Sequence, residues 1–299
     1  MAKPSFTDNR ISRLALGTVQ FGIPYGIANT QGQVKQEEVE KILGYAFDSG
    51  VNTLDTAIAY GESEKVLGNV GVESWDVVSK LPQMPHQIDD ILDWVMHSVY
   101  SSLERLKISR LYGLLLHHPE QLLKSKGEEL YQALTLVKER GLAKKIGLSI
   151  YSPTDLIKLH PYFEFDLVQS PFNLLDSRLV DSGWLSRLKE DGVEVHVRSI
   201  FLQGLLLMDS CTRPKYFSRW QSIWNEWERW LDSTNTSRLE CCLGSVISNS
   251  QIDKIVVGVD SLSQLQEILD ASEGSIVKTP NNVSCQDQEL LNPSLWSTD

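Results

Sequence analysis

Short apolar runs alternate with longer amphipathic segments along the chain. The short runs are rich in Leu, Ile or Val and too brief for stable helices, which is typical of buried parallel strands. They are Leu14–Thr18, Asn52–Asp55, Asp76–Lys80, Leu111–His117, Lys145–Ser149, Asp166–Gln169, Glu194–Ser199 and Lys254–Gly258. Apolar residues recur at helical spacing in the segments between them, namely Gln36–Ser49, Asp89–Leu106, Glu128–Arg140, a helix opened by Ser152 and Pro153, Leu179–Asp191 and Ser261–Leu269. Strand-then-helix units with short links predict a (β/α)8 TIM barrel.

The 299 residues form one domain on this interpretation, with a core from about 14 to 270. No linker rich in Pro, Gly or Ser divides the chain, and the turn after the first strand lacks the G-x-G-x-x-G spacing of a doubly wound sheet. A long segment after the seventh strand carries tryptophans at helical spacing, Trp220, Trp224, Trp227 and Trp230. They predict an added helix, either packed on the barrel wall or serving as a lid or partner surface. We expect the polar tail, 279–299, to pack loosely.

The charge balance limits the classes of partner. Lys and Arg number 28 and Asp and Glu 39, a net charge of −11, which argues against nucleic acid and against an anionic membrane surface. A local pocket for a small anionic ligand is still compatible with it. No apolar run is long enough to cross a bilayer, and Met1–Arg10 lacks the apolar stretch of a signal peptide, so we expect a cytoplasmic protein, monomeric or a small homo-oligomer. The four cysteines contain no C-x-x-C pair, and we predict reduced thiols and no metal site.

Polar side chains stand where the predicted strands end. The strand-end residues are Asp55, Lys80, His117, Ser149, Gln169, Arg198, Ser199 and Gly258, with Tyr60 just beyond the second strand. Taken singly, such residues often cap helices, extend to solvent or bond a neighbouring loop. Because active residues of a parallel barrel lie at the carboxyl ends of its strands, an acid, an ammonium, a phenol and an imidazole on adjacent strands predict one shared site.

The residue types indicate proton transfer to an oxygen. A tyrosine, with an ordinary pKa of about 10, holds a proton that it can donate at neutral pH. We expect Lys80 to lower the pKa of Tyr60, Asp55 to balance the charge of Lys80, and a neutral His117 to orient a substrate oxygen. Carbonyl reduction needs such a donor and also a hydride, which no side chain supplies, so a nicotinamide or flavin is implied.

The segment Asn52–Glu64 resembles the signature of the aldo-keto reductase family, with Asp and Tyr five residues apart. Val78–Lys80 resembles that family's lysine strand, and Leu115–Pro119 its histidine strand. The likeness runs from about Leu14 to Leu269. It implies an NAD(P)H-dependent barrel reductase acting on a small-molecule carbonyl substrate, with Tyr60 as proton donor, Lys80 and Asp55 tuning it and His117 orienting the carbonyl.

The resemblance also implies the cofactor positions: Gly17, Thr18, Asp55, Ser149, Gln169, Arg198, Ser199, Gly204, Gly258 and Gln264. Ser149 and Gln169 match residues that hold the carboxamide. Arg198 stands where relatives stack an aromatic ring, and could stack, bind phosphate or an acidic substrate, or form a structural ion pair. Relatives grip the 2′-phosphate of NADP with Lys and Arg where this chain has Gly258 and Gln264, beside Asp260. The resemblance favours NADPH, and these departures leave NAD as an alternative.

The substrate side differs from the family pattern as well. Val19 replaces a common Trp, which predicts an open pocket lined by Tyr25, Phe21, Tyr151 and the tryptophan helix. An open, partly polar mouth suits a sugar or another polyhydroxylated carbonyl. Two other functions stay open at this stage: oxidation of an alcohol or aldose by the same residues, and a nucleotide-binding regulatory barrel with little turnover.

Overall fold

The strands of the computed structural model close into a parallel barrel. The structure describes residues 10–274, 280 and 283–297. Its strands are β1 Leu14–Gly17, β2 Thr53–Asp55, β3 Asp76–Leu81, β4 Leu111–Leu116, β5 Ala143–Ser149, β6 Leu167–Pro171, β7 Glu194–Arg198 and β8 Lys254–Gly258. Each strand pairs with its sequence neighbours, and β8 returns to β1. The predicted (β/α)8 barrel is therefore confirmed, and every predicted strand lies within two residues of the observed one.

The helices surround the barrel and follow the strands in turn. They are α1 Val19–Gly22, α2 Gln36–Asp48, α3 Ser63–Val70, α4 Ile91–Leu106, α5 Gly127–Glu139, α6 Pro153–Leu159, α7 Arg178–Asp181, α8 Trp184–Glu190, α9 Gln221–Thr234, α10 Arg238–Ile247, α11 Leu262–Glu273 and α12 Gln288–Leu291. Apolar residues at helical spacing face the sheet, as α2 shows by burying Val39, Ile42 and Leu43. Ser152 caps α6 in a reciprocal box with Asp155, as its place before Pro153 predicts.

The strand register brings the carboxyl ends to one mouth. Gly17, the last residue of β1, pairs with Asp55 at the end of β2 and with Gly258 at the end of β8. Ser149 likewise pairs with Gln169. The strand-end residues singled out from the sequence therefore lie around a common rim.

The interior of the barrel has an apolar middle and a polar bottom. Val78, Leu115 and Leu167 pack together in the lumen with Tyr112 at their lower edge. Below them, Glu194 accepts hydrogen bonds from Tyr112, at 2.7 Å, and from Lys145, and lies 2.6 Å from Nε2 of His196. The pKa of Glu194 stays well below its usual range, because these partners outweigh the burial that would raise it. This cluster lies at the face opposite the mouth, where polar residues of such barrels serve stability.

The structure corrects the expected helix over Leu179–Asp191. The segment forms two short helices, α7 and α8, separated at Gly183, whose φ is +77°. Glycine adopts this left-handed backbone without steric penalty, so it ends the first helix and redirects the chain.

The expected loose packing of the tail is wrong for its described part, 283–297. Val283, Cys285 and Leu290 are buried, and Trp296 contacts Phe217 with ring centroids 4.9 Å apart. The segment is polar in composition, yet most of its few apolar side chains are buried against the barrel, Leu295 being the exposed exception. It also brings Asn292, Pro293 and Ser294 to the edge of the mouth.

The tryptophan segment forms the predicted helix, α9. Trp224 and Trp227 are fully buried, and Nε1 of Trp224 donates to the carbonyl of Phe217 at 2.8 Å. The rings therefore pack on the barrel wall, and the other face of α9 contributes Glu228, Leu231 and Asp232 to the mouth.

Both ends of the chain include residues that the structure does not describe. Residues 1–9, which hold most of the segment predicted to lack a signal peptide, lie outside the described residues, as do 275–279, 281–282 and 298–299. In the described part of the chain, no helix combines the length and apolar character needed to cross a bilayer. Over the same residues, no group of three His, Cys, Asp or Glu side chains converges as a metal site would require.

Candidate active site

A cleft of about 1600 Å³ opens at the carboxyl-terminal mouth of the barrel. Asp55, Tyr60 and His117 line its floor, at the ends of β2 and β4. Tyr25 and Tyr151 stand on its walls, on the loops after β1 and β5, together with Arg198, the last residue of β7. The cleft continues past Gly258 to α11 on one side and past α9 to the tail on the other. It is therefore long enough in outline for an extended ligand as well as a small one.

A buried ion pair lies beneath the floor. Nζ of Lys80 donates to Oδ1 of Asp55 at 2.6 Å and to the carbonyl of Thr56 at 2.9 Å. The Lys80 side chain is fully buried and the Asp55 side chain 6% exposed. The predicted partnership of these two residues is thus confirmed.

Gln169 and Ser149 extend this pair into a chain of hydrogen bonds. Nε2 of Gln169 donates to Oδ2 of Asp55 at 2.6 Å, and the hydroxyl of Ser149 donates to Oε1 of Gln169 at 3.3 Å. Both side chains are buried below the cleft and do not line it. They fix the orientation of the Asp55 carboxylate, and their assignment to a cofactor carboxamide stays a prediction.

Tyr60 lies above the pair, with its ring centroid 5.2 Å from Nζ of Lys80. Burial and the nearby Asp55 carboxylate raise the pKa of its phenol above the ordinary value of 10.0, and Arg198 only partly opposes them. The expected net lowering of this pKa is therefore wrong, because burial of the phenol outweighs the stabilisation that the Lys80 ammonium, itself paired with Asp55, offers to a phenolate. Tyr60 is a protonated phenol at neutral pH.

His117 completes the floor of the cleft. Its ring meets the ring of Tyr60 edge to face, with centroids 5.9 Å apart and planes at 80°. Burial and the nearby positive charges of Lys80 and Arg198 lower the pKa of His117 to about 3. The imidazole is consequently neutral and can donate or accept a hydrogen bond, as predicted. Burial also lowers the pKa of Lys80, although Asp55 opposes that effect.

Two glycines hold the Tyr60 segment against the loop after β1. A Cβ on Gly22 would lie 1.7 Å from the carbonyl oxygen of Tyr60, and one on Gly61 would lie 2.7 Å from the carbonyl oxygen of Gly22. The hydroxyl of Ser63 ties the same loops by donating to the carbonyl of Thr18 at 2.8 Å. Gly22 is not among the residues predicted from the sequence, because its role depends on a contact between distant segments.

Glu64 anchors the helix that follows Tyr60. Its buried carboxylate accepts from Arg105 at 2.6 Å, from Ser79 at 2.7 Å and from Ser102 at 2.6 Å. These partners lie on β3 and α4, so α3 is fixed to the rest of the barrel. Glu64 belongs to the segment compared with the family signature, and its contacts are structural.

Arg198 lies across the wall of the cleft. One terminal nitrogen donates to the carbonyl of Ile150 at 3.1 Å and the other to the hydroxyl of Ser199 at 3.3 Å. Its guanidinium packs on the ring of Tyr151 at 4.8 Å from the centroid. No carboxylate of the described residues forms an ion pair with it, so the interpretation of Arg198 as a structural ion pair is wrong.

The arm of the cleft between β1 and β8 has features of a ligand cradle. The side-chain oxygen of Gln20 is buried there without a hydrogen-bond partner, and a Cβ on Gly258 would lie 2.5 Å from the Gln20 amide nitrogen. An acceptor without a donor at this depth fits a ligand that brings one. Gln20 is not among the residues predicted from the sequence; the nearest predicted cofactor position is Thr18, two residues before it.

Most of the predicted cofactor positions line this cleft. They are Gly17, Thr18, Asp55, Arg198, Ser199, Gly204, Gly258 and Gln264. The main chain between them is unusual, because Ser199, Leu202 and Gln203 have φ values of +60°, +48° and +55°. Backbone strain of this kind is concentrated at functional sites. Phe21, predicted to line the pocket, is instead fully buried under it.

The residues of the cleft therefore fit a bound nicotinamide dinucleotide. Gly17, Thr18 and Gly258 would lie under it, Gln20 offers an unpaired acceptor, and Gln264 and Asp260 stand at the far end. Asp260 accepts from Nδ2 of Asn29 at 3.1 Å, and its backbone N–H donates to Gln264 at 2.8 Å.

Comparison with known proteins adds to this geometry. The sequence profile of the aldo/keto reductase family matches residues 13–282. A curated relative, the chloroplastic pyridoxal reductase of Arabidopsis thaliana, is 27% identical over 144 residues, which are 43% of this chain and 39% of the relative. The chain thus matches less than half of that relative's length.

Solved structures share the fold. An aldo-keto reductase from Bacillus halodurans, in its holo form, superposes with a TM-score of 0.71 at 18% identity, covering 89% of this chain and 88% of that one. A protein from Pseudomonas aeruginosa assigned to the aldo-keto reductases gives a TM-score of 0.64 at 22% identity, covering 87% of this chain and 89% of that one. At these identities the likeness concerns the fold.

Proposed function

Because the chain belongs to the aldo-keto reductase family, an oxidoreductase family, we propose that it reduces an aldehyde or ketone to an alcohol with NAD(P)H, and that Tyr60 donates the proton. The observation that carries the proposal is the arrangement on the floor of the cleft. A protonated phenol and a neutral imidazole stand side by side above a buried ammonium–carboxylate pair. General acid catalysis needs such a donor within reach of the substrate oxygen.

Each residue has a separate task in this reaction. His117 orients the carbonyl oxygen toward Tyr60 by hydrogen bonding, and it does not compete for the proton because it is neutral. The phenol of Tyr60 donates its proton to that oxygen as the carbonyl carbon accepts a hydride, so that the two together give the alcohol. Lys80, 5.2 Å from the ring centre, then faces the phenolate left behind and stabilises it. The cofactor, when bound, supplies the hydride.

Asp55 and Gln169 act on Tyr60 through Lys80. Asp55 holds the ammonium in place, and Gln169 fixes the second oxygen of Asp55. The hydrogen-bond chain therefore fixes the position of the ammonium below the phenol ring. On proton loss from Tyr60, the same ammonium becomes the nearest countercharge.

The residues at the far end of the cleft favour NADH over the NADPH that the family resemblance suggests. Asp260 and Glu267 both line that end. A carboxylate beside the adenosine ribose repels a 2′-phosphate and can accept a hydrogen bond from a 2′-hydroxyl. We expect NADH to be used at least as well as NADPH, and Asp260→Asn to raise the ratio of kcat/KM for NADPH over NADH. An unchanged ratio would place Asp260 outside the cofactor site.

The lining of the cleft and the curated relative together suggest a panel of aldehydes and ketones to test as substrates. Pyridoxal belongs in it because the curated relative is a pyridoxal reductase, although the match covers only part of that protein. Sugars and other polyhydroxylated carbonyls belong in it because tyrosine hydroxyls, those of Tyr25 and Tyr151, stand on the walls. Small neutral aldehydes complete the set.

The deciding experiment is loss of nicotinamide absorbance with this panel, for the wild type, Tyr60→Phe and Tyr45→Phe. Tyr45 is exposed on α2, so it controls for removal of a phenol oxygen elsewhere. Removal of a general acid lowers kcat by about 10²- to 10⁴-fold, and we expect that loss for Tyr60→Phe alone, with cofactor affinity retained. Normal turnover by Tyr60→Phe would remove the assigned proton donor. Tight cofactor binding without turnover on the whole panel would instead support a regulatory nucleotide-binding barrel.

A further inference from the structure

The positive charge of Arg198 is unbalanced within the site. Oδ1 of Asp55 already forms an ion pair with Nζ of Lys80 at 2.6 Å, and His117 carries no charge at neutral pH. The other arginine of the cleft, Arg238, pairs with Asp209 at 3.1 Å and with Glu228. Over the described part of the chain, Arg198 has no such partner. Among the described residues beside Tyr60 and His117, Arg198 therefore carries the charge that has no ion-pair partner, whereas the carboxylates of Asp260 and Glu267 stand at the far end of the cleft.

The protein fixes the orientation of this guanidinium. The Ile150 carbonyl holds one terminal nitrogen, the Ser199 hydroxyl the other, and the Tyr151 ring packs against the plane at 4.8 Å. Tyr151 is itself held, because its carbonyl accepts from Arg178 at 3.3 Å. A guanidinium has five N–H donors, so about three remain for a ligand. A preorganised fork of this kind suits a planar carboxylate.

On the basis of the proposed reductase function, we propose that Arg198 binds a carboxylate of the substrate, so that the enzyme acts on aldehydes or ketones that carry a carboxylate group. A single positive charge matches a monoanionic carboxylate better than a dianionic phosphate ester. The fork lies on the same cleft wall as Tyr151 and faces the cavity that Tyr60 and His117 line. Oxo acids and acidic sugars share the required chemistry.

A matched pair of aldehydes tests this assignment. 4-Carboxybenzaldehyde and methyl 4-formylbenzoate have the same reacting group and differ by the charge at the far end. We expect the wild type to prefer the carboxylate, and Arg198→Gln to lower the ratio of the two kcat/KM values by about 10- to 100-fold, as the loss of a charged hydrogen-bonding partner does. Using the ratio cancels any general loss of activity in the variant.

Two further variants separate charge from geometry. Arg198→Lys keeps the charge but loses the planar fork, and we expect it to recover only part of the ratio. Arg229→Gln removes the same charge from an exposed position of α9, where the side chain is 68% exposed, and we expect the wild-type ratio. A ratio that fell equally in Arg229→Gln would reduce the effect to long-range charge and overturn the assignment.

Binding measurements distinguish failure of this inference from failure of the proposed function. Calorimetry with 4-(hydroxymethyl)benzoate reports carboxylate binding without turnover. Binding that depends on Arg198, in an enzyme that reduces no aldehyde, would support the carboxylate site and overturn the reductase proposal. Equal use of both aldehydes by the wild type, or weaker NAD(P)H binding by Arg198→Gln with an unchanged substrate ratio, would overturn the inference and leave the function standing.

Discussion

Replacement of Asp55 by Asn tests the buried pair on which the site depends. The amide is close in size to the carboxylate and can still accept a hydrogen bond, so the change removes a charge and little volume. The Lys80 side chain is fully buried and the Asp55 side chain 6% exposed, so neither charge is screened by solvent. At an effective dielectric of about 20, two unit charges about 4 Å apart attract by about 4 kcal/mol. We therefore expect Asp55→Asn to lower the free energy of unfolding by about 3–5 kcal/mol at pH 7.

The same pair predicts how this loss depends on pH. Burial lowers the pKa of Lys80 below its ordinary value, so the unfolded chain binds more protons than the folded one between the two values. Stability from this group therefore rises with pH across that window. Asp55→Asn removes the charge that opposes burial, which lowers the pKa of Lys80 further and extends the window to lower pH. The variant should recover stability on going from about pH 7 to pH 9 more than the wild type does.

Urea unfolding followed by tryptophan fluorescence measures both effects. Glu62→Gln is the control, because Glu62 and Lys65 form a pair at 3.0 Å whose side chains are 62% and 64% exposed, and such pairs contribute less than about 1 kcal/mol. In a double-mutant cycle, Lys80→Met with Asp55→Asn should cost much less than the sum of the single changes. Wild-type stability of Asp55→Asn at pH 7, or additive single effects, would refute the energetic account of the pair.

Other consequences of the structure can be measured independently. Gly22→Ala would place a Cβ 1.7 Å from the carbonyl oxygen of Tyr60, so we expect a strong loss of stability and activity. Gly44→Ala is the control, because it faces open space on α2 and should stabilise the protein by about 0.5–1 kcal/mol. Similar effects of the two variants in thermal unfolding would contradict the contact. Because the pKa of His117 is lowered to about 3, the pH profile of kcat/KM should show no ionisation of this residue between about pH 5 and 8. A pH-dependent change of kcat/KM in that range that is absent from His117→Gln would argue against a neutral imidazole. Glu194→Gln should lower the free energy of unfolding by about 2–4 kcal/mol, because it breaks a buried hydrogen-bonded cluster. It should leave kcat/KM of the folded enzyme unchanged, because this cluster lies at the opposite end of the barrel from the cleft. A change in kcat/KM measured below the unfolding temperature would count against that separation.

The barrel and the floor of the site could be predicted because both are encoded locally. Parallel strands buried on both faces appear as continuous apolar runs, and the residue that ends each run is the residue at the mouth. Asp55, Lys80 and His117 were identified in this way, and Tyr60 follows Asp55 by a fixed spacing. Their meeting then follows from barrel closure alone.

Features that depend on distant contacts could not be predicted in the same way. The role of Gly22 arises only where its backbone meets that of Tyr60, and the orphaned oxygen of Gln20 only where β1 meets β8. The packing of the tail was obscured by its polar composition, since a few residues such as Val283 and Leu290 decide it. The direction of the Tyr60 pKa depends on the balance of burial against a charge that Asp55 already neutralises, and spacing carries no information about that balance.

The raised pKa of Tyr60 also separates the two directions of the proposed reaction. Reduction needs the phenol protonated, and burial with the Asp55 carboxylate keeps it so at neutral pH. Oxidation of an alcohol needs the phenolate as base, which is scarce until the pH approaches that raised value. We therefore expect kcat/KM for aldehyde reduction to be nearly flat from about pH 6 to 9, and kcat/KM for alcohol oxidation to rise throughout that range. Both profiles can be recorded with the same substrate–product pair, and Tyr60→Phe should lower both. Oxidation that is already pH-independent near neutrality would mean that the phenol ionises far below the value its burial implies, and that an approach of Lys80 closer than the resting geometry sets the pKa.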